Sequence, residues 1–106
     1  MRHKPTWGEF WWADLDHAGR RPVLVLTRPE AVGRLPRILV VPATRTVRGL
    51  PSEVHLDESD GLPSACVLNL DTPALVESLW LTERIGSISA HRWSEVCTAL
   101  HRAVNC

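Results

Sequence analysis

The sequence predicts a mainly β domain that carries one C-terminal helix. Three observations lead there. Short apolar or alternating runs, each bounded by Gly, Pro or Asp turn signals, recur from Trp7 to Ile88. The periodicity becomes helical only after Ser89. Strand patterns never alternate with helical ones, which excludes a parallel nucleotide-binding sheet built from βαβ units.

The elements follow in order. "WGEFWWADL" (7–15) is aromatic-rich and suits a first strand. Trp11 and Trp12 are adjacent on it, so they point to opposite faces and at most one fills the core. "PVLVLT" (22–27) is a short apolar run opened by a proline that donates no hydrogen bond. "RILVVPAT" (37–44) is another, with Pro42 marking an edge or a bulge. "EVHLD" (53–57) alternates Val54 and Leu56 with Glu53 and His55, the pattern of a half-buried strand; His55 is exposed and has no assigned role. "ACVLNLD" (65–71) follows the turn signal "SDGLP", and "ERIGSI" (83–88) is a short last strand. Trp93, Val96, Cys97, Leu100 and Val104 then fall at helical spacing, with Ser89 as N-cap and Trp93 as the anchor to the sheet. The expectation is a curled sheet of five to six strands with a helix over about 90–104, all in one domain spanning residues 1–106.

Composition bounds the function. A chain of 106 residues holds one modest core. No apolar run approaches the length that spans a bilayer, and no 7–15-residue apolar stretch follows the basic N-terminus. A soluble cytoplasmic protein without a membrane partner is expected. Cys66, Cys97 and Cys106 form an odd set without close pairing, which fits a reducing compartment.

The formal net charge of +0 conceals an asymmetry. From Arg20 to Arg48 there are seven arginines, no lysine and one acid, Glu30. From Glu53 to Glu77 there are six acids and neither Lys nor Arg. Interleaved in the fold, these charges make surface ion pairs. Gathered on one face, the arginines make a phosphate-binding surface, because planar forked donors match phosphate oxygens.

The stretch "VVPATRTVRGLPSE" (40–53) shows how such a surface could be built: an apolar strand ends in Thr44, Arg45, Thr46 and Arg48. Arg21 precedes Pro22, which holds its backbone extended at the mouth of the second strand. If the second and third strands form a hairpin, Arg21 and Thr44 share a rim and can grip one phosphate from two directions. The alternative is that Arg21 sits in a surface ion pair and Thr44 satisfies a turn. Gly-rich phosphate loops, a GxSxG elbow, Cys-x-x-Cys and His-Glu-x-x-His are all missing. Cys97 and His101 stand at i, i+4, but two ligands make a poor site, so neither metal nor cofactor is expected.

"GEFWWADLDHAGRRPVLVLTR", "VVPATRTVRGLPSEVHL", "GLPSACVLNLD" and "LTERIGSISAHRWSEVCTAL", in that order, resemble the MazF/PemK family of toxin endoribonucleases over about Trp7 to Leu100. The resemblance implies a small SH3-like barrel with a C-terminal helix, a homodimer with an RNA groove at or near the subunit interface, and a cognate MazE-like antitoxin that covers the groove. It implies metal-independent, sequence-selective cleavage of single-stranded RNA by attack of the neighbouring 2′-OH. Arg21 matches the family's catalytic arginine before proline and Thr44 its catalytic threonine. Arg20, Arg45, Thr46, Arg48 and Asn69 become candidate RNA contacts. Asn69 would read a base edge or cap a turn.

The sequence also departs from the family. The loop before Arg21 is only "DHAGR" (16–20), shorter than in most members; His17 within it suits general acid–base work or is a solvated loop residue. "NLDTPA" (69–74) keeps an acid at Asp71 but lacks the flanking arginines found in one branch. Two other readings use the same barrel: a non-catalytic RNA-binding module, and a CcdB-like toxin that binds gyrase. The ending "AVNC" lacks the exposed Trp of the latter.

Overall fold

A computed structural model describes residues 4–16 and 19–105. Seven strands precede one helix: β1 (Glu9–Leu15), β2 (Gly19–Val25), β3 (Arg37–Thr44), β4 (Glu53–Leu56), β5 (Cys66–Asn69), β6 (Ala74–Glu77), β7 (Leu81–Ser87) and α1 (Ala90–Val104). Hydrogen-bonded neighbours run β4-β5-β3-β2-β1-β7, with β6 pairing the early part of β3. The paired strands are antiparallel throughout.

Alternation along the central strands explains how the sheet buries both faces. Phe10, Leu24, Val41 and Ala43 join one apolar cluster, whereas Trp11, Ala13, Val23, Val25, Ile38 and Val40 join the other. Helix α1 covers the first cluster with Val96 and Ala99. The second is closed by Val76 of β6 and by Leu81, so the sheet curls over its own inner surface.

Several expectations are corrected in detail. Strand β6 was not foreseen; Val76 is its one buried residue, too little for a period to show. β2 starts at Gly19 because the β1 hairpin register carries Arg20 and Gly19 opposite Asp14 and Leu15. It ends at Val25, since Leu26 and Thr27 both donate backbone N–H to the Leu39 carbonyl, two residues against one as in a bulge. The helix turns Ala99 and Ala103 to the sheet, while Cys97 and Val104 are exposed. Small side chains at those positions let the helix lie close.

The helix ends as its sequence dictates. Ser89 Oγ accepts from the Arg92 amide at 3.2 Å, and Asn105 closes the C-terminus in the left-handed region with φ of 54°. Trp93 packs against the first cluster and meets Trp7 edge to face, with ring centroids 4.3 Å apart. Arg92 ties α1 to the sheet: its Nε donates to Asp60 Oδ1 at 3.1 Å, and its other nitrogens donate to the His55 carbonyl and to Glu95.

Candidate active site

The β2–β3 hairpin fixes the central geometry. Val23 pairs with Pro42, Leu24 with Val41 and Val25 with Val40, so the paired numbers always sum to 65. The registered pairing ends at Val23 and Pro42; continued by two residues it would set Arg21 against Thr44. Opposed residues share a face in antiparallel pairs. Both side chains line one groove of about 460 Å³.

The groove's remaining walls come from four segments. β1 contributes Trp12, the β2 entrance contributes Arg20 and Pro22, the end of β3 leads into Arg45 and Thr46, and the turn before β5 adds Pro63, Ser64 and Cys66. No described carboxylate lines it, although three arginines do. A concave surface of that kind favours an anion. The segregation of charge noted in the sequence is therefore realised locally at this groove.

Hydrogen bonds orient the key groups. Thr44 Oγ1 accepts from the Thr46 amide at 3.1 Å, which leaves the hydroxyl proton pointing elsewhere as a donor. Arg21 is half-buried and belongs to β2 rather than to a loop tip. Arg20 is placed differently: its carbon Cζ lies 4.6 Å from the Trp12 ring centroid, and its Nη2 donates to Glu83 Oε2 at 3.0 Å. Of the two adjacent tryptophans, Trp11 is the core residue and Trp12 faces the groove.

The loop after β3 is secured by an acid outside the groove. Glu53 accepts backbone N–H bonds from Arg48 at 2.8 Å and Leu50 at 3.0 Å. These bonds, chiefly that from Arg48, hold its carboxyl below the ordinary 4.5. Cys66 behaves oppositely: partial burial, with help from Asp60 and Asp57, pushes its thiol above the ordinary 9.0.

The profile of a family described as "PemK-like, MazF-like toxin of type II toxin-antitoxin system" matches residues 6–104. The chain belongs to this toxin family. It is 46% identical over 107 aligned residues to the probable endoribonuclease MazF5 of Mycobacterium tuberculosis, covering 100% of this chain and 98% of the relative. Among solved structures it resembles the Mycobacterium tuberculosis toxin MazF-mt6, with a TM-score of 0.83, 33% identity and coverage of 92% and 96% of the two chains. It also resembles MazF in the MazE–MazF structure from Deinococcus radiodurans, with a TM-score of 0.81, 25% identity and coverage of 99% and 100%. The curled sheet and C-terminal helix are thus those of the MazF fold.

Among the residues that the MazF resemblance singled out, the groove gathers Arg20, Arg21, Thr44, Arg45 and Thr46. Arg48 is exposed on the following loop and is not part of the groove wall. Asn69 and Asp71 also stand outside it. Asn69 is buried, its Oδ1 accepts from the Asp71 amide at 2.9 Å, and its carbonyl accepts from Thr72, so it takes the turn-capping role. Asp71 accepts the Ser52 hydroxyl, which ties that turn to the start of β4. His17 lies outside the described residues. Sequence reasoning did not pick out Ser64, Cys66 or Glu83; only the "GLPSAC" turn signal hinted that a segment would close one side.

Proposed function

We propose that this endoribonuclease of the MazF family cuts single-stranded RNA at the phosphate gripped by Arg21 and Thr44, without a metal ion. The observation that carries the reading is that these two residues line one groove walled by arginine and by no described carboxylate. In the reaction the neighbouring 2′-oxygen bonds to phosphorus and the bond to the 5′-oxygen breaks. The 2′-hydroxyl proton passes to solvent, and the departing 5′-oxygen takes up a proton. The products are a 2′,3′-cyclic phosphate and a 5′-hydroxyl end. Negative charge grows on the non-bridging oxygens as the phosphorane forms. Arg21 meets that charge from β2, Thr44 donates a hydrogen bond from β3, and Arg45 holds the adjoining backbone. Fixed guanidiniums supply the neutralisation for which other nucleases use a cation.

The partners belong to the same reading. The MazE–MazF structure from Deinococcus radiodurans supports a MazE-like antitoxin as partner. Homodimer formation is supported by the exposed Leu75, Leu79 and Trp80, gathered in one short segment. No described helix is long and apolar enough to cross a membrane, consistent with action in the cytoplasm where RNA is found.

The test is cleavage of mixed RNA in EDTA, with fragment ends mapped for 5′-hydroxyls. Arg21→Ala and Thr44→Ala each reduce the rate by about 10²–10³-fold, the usual loss for one charge-stabilising donor. Circular dichroism of each variant checks that the fold persists. Undiminished cleavage by either variant removes that residue from the mechanism, and RNA binding without any cleavage makes the chain a non-catalytic barrel.

A further inference from the structure

The groove around Arg21 and Thr44 continues past Thr44. Arg45 and Cys66 line both it and a second cavity of about 310 Å³. The sheet register explains the connection. Thr44 of β3 is opposite Val67 of β5, and Val67 is opposite His55 of β4. The three therefore form one row on one face of the sheet. Two strand spacings place His55 roughly 10 Å from Thr44.

The two cavities differ in chemistry. The first has three arginines and suits phosphate. The second is bordered by Val47, which is 56% exposed, by buried Val67, by His55 and Asp57, and by Arg45 of the shared wall. Asp57 Oδ1 accepts from the Ser59 amide at 2.9 Å and from its hydroxyl at 2.6 Å. Those bonds, the hydroxyl's first, hold the carboxyl below the ordinary 3.8, so at neutral pH it accepts and never donates. The same carboxylate caps the 3-10 turn Glu58–Asp60, and since two carboxylate oxygens offer about four acceptor sites, capping leaves room for a ligand donor. Asp57 makes this cavity less suited to a phosphate than the first, where no described carboxylate accompanies the arginines, whereas a planar base with N–H groups would be held.

We infer that this second cavity is a base subsite beside the scissile phosphate, taking an amino-bearing base (cytosine, adenine or guanine) and rejecting uracil. The inference rests on the nuclease reading. Asp57 accepts the base's amino N–H, as carboxylates do from cytosine N4. Uracil turns carbonyl oxygens toward much of the same edge and leaves the carboxylate unsatisfied. Val47 and the His55 ring hold the base faces, and Arg45, on the shared wall, holds the phosphate between the two cavities.

The experiment is cleavage of a randomised RNA pool by wild type, Asp57→Asn and His55→Ala, with 5′-hydroxyl ends sequenced and each profile normalised to its own total. Asn keeps the N-cap function of residue 57 in the 3-10 turn Glu58–Asp60, so the fold survives the exchange. Wild type discriminates against uracil at one position next to the cut by at least about fivefold. Asp57→Asn removes that discrimination and leaves the other positions unchanged; His55→Ala weakens preference at the same position. Unchanged profiles in both variants overturn the subsite while the nuclease stands. Equal loss of preference at every position overturns it as well. A wild-type chain that leaves all RNA intact overturns the nuclease reading and the subsite together.

Discussion

Arg20 Nη2 lies 3.0 Å from Glu83 Oε2, a link between β2 and β7 that also lays the guanidinium over Trp12. The side chains are 51% and 67% exposed, so the pair contributes less than about 1 kcal/mol to folding. Its consequence falls on binding, because a guanidinium committed to Glu83 is only partly available to RNA. Glu83→Gln is expected to tighten binding of single-stranded RNA severalfold at low salt. The slope of log K against log salt should steepen by about 0.7, the change for one added phosphate contact on a single strand. Adding Arg20→Ala should erase both gains. A slope indifferent to either change would show that Arg20 meets no phosphate.

Glu9 raises a question of stability rather than binding. It is 4% exposed, and its carboxylate accepts from the Thr6 amide at 2.8 Å, Trp11 Nε1 at 3.0 Å and Arg84 Nε at 2.6 Å. One acid thereby joins β1 to β7 and orients the core tryptophan. Glu9→Gln keeps the shape but replaces charge-assisted bonds by neutral ones and gives Arg84 an amide donor to face. A loss of about 1.5–3 kcal/mol is expected in urea unfolding, with the slope m unchanged. A loss below about 0.5 kcal/mol would mean that water replaces these bonds freely.

The parts of this fold legible in the sequence are those with local causes. Both ends of β3 and the span of α1 follow from turn residues and caps within the segments themselves. The meeting of Arg21 and Thr44 at one groove was also accessible, since one opens the second apolar run, the other closes the third, and consecutive strands are usually neighbours. Long-range choices were not. Nothing near Glu83 announces that it will meet Arg20, 63 residues away. Asn69 carries a side chain equally suited to a base edge and to a turn, and only burial shows that the turn has it. The buried face of α1 was misjudged at Cys97 and Val104 because apolar character alone cannot tell which small residue will sit against a sheet.

Acid should loosen the loop that carries Arg45 and Arg48. Glu53 has its folded-state pKa depressed below 4.5 by the bonds it accepts from that loop. A depressed carboxyl adds stability that is present above the unfolded value and is lost as pH falls through the folded value. The wild-type advantage in Tm over Glu53→Gln should thus be full at neutral pH and shrink below about pH 4.5. Proteolytic nicking between 45 and 52 should rise over the same range. A Tm gap that stays constant from neutral pH to pH 3 would show that the carboxylate form contributes nothing special.

Cys66 offers a direct report on occupancy of the groove. Its thiol is half-buried and raised in pKa by that burial, with the nearby acids adding to the effect, whereas Cys97 is exposed on α1. The thiolate is the reactive form, so in a Cys106→Ser background iodoacetamide should modify Cys97 well before Cys66 at neutral pH. Cys66 touches both the arginine-walled groove and the adjoining cavity, and Cys97 touches neither. Bound RNA should therefore slow modification of Cys66 and leave the rate at Cys97 unaltered, as followed by intact-mass spectrometry. To keep the bound RNA whole, the oligonucleotide carries 2′-O-methyl groups, which remove the attacking hydroxyl. Equal protection of both thiols would indicate a general tightening of the fold, and protection of neither would place the RNA on another surface.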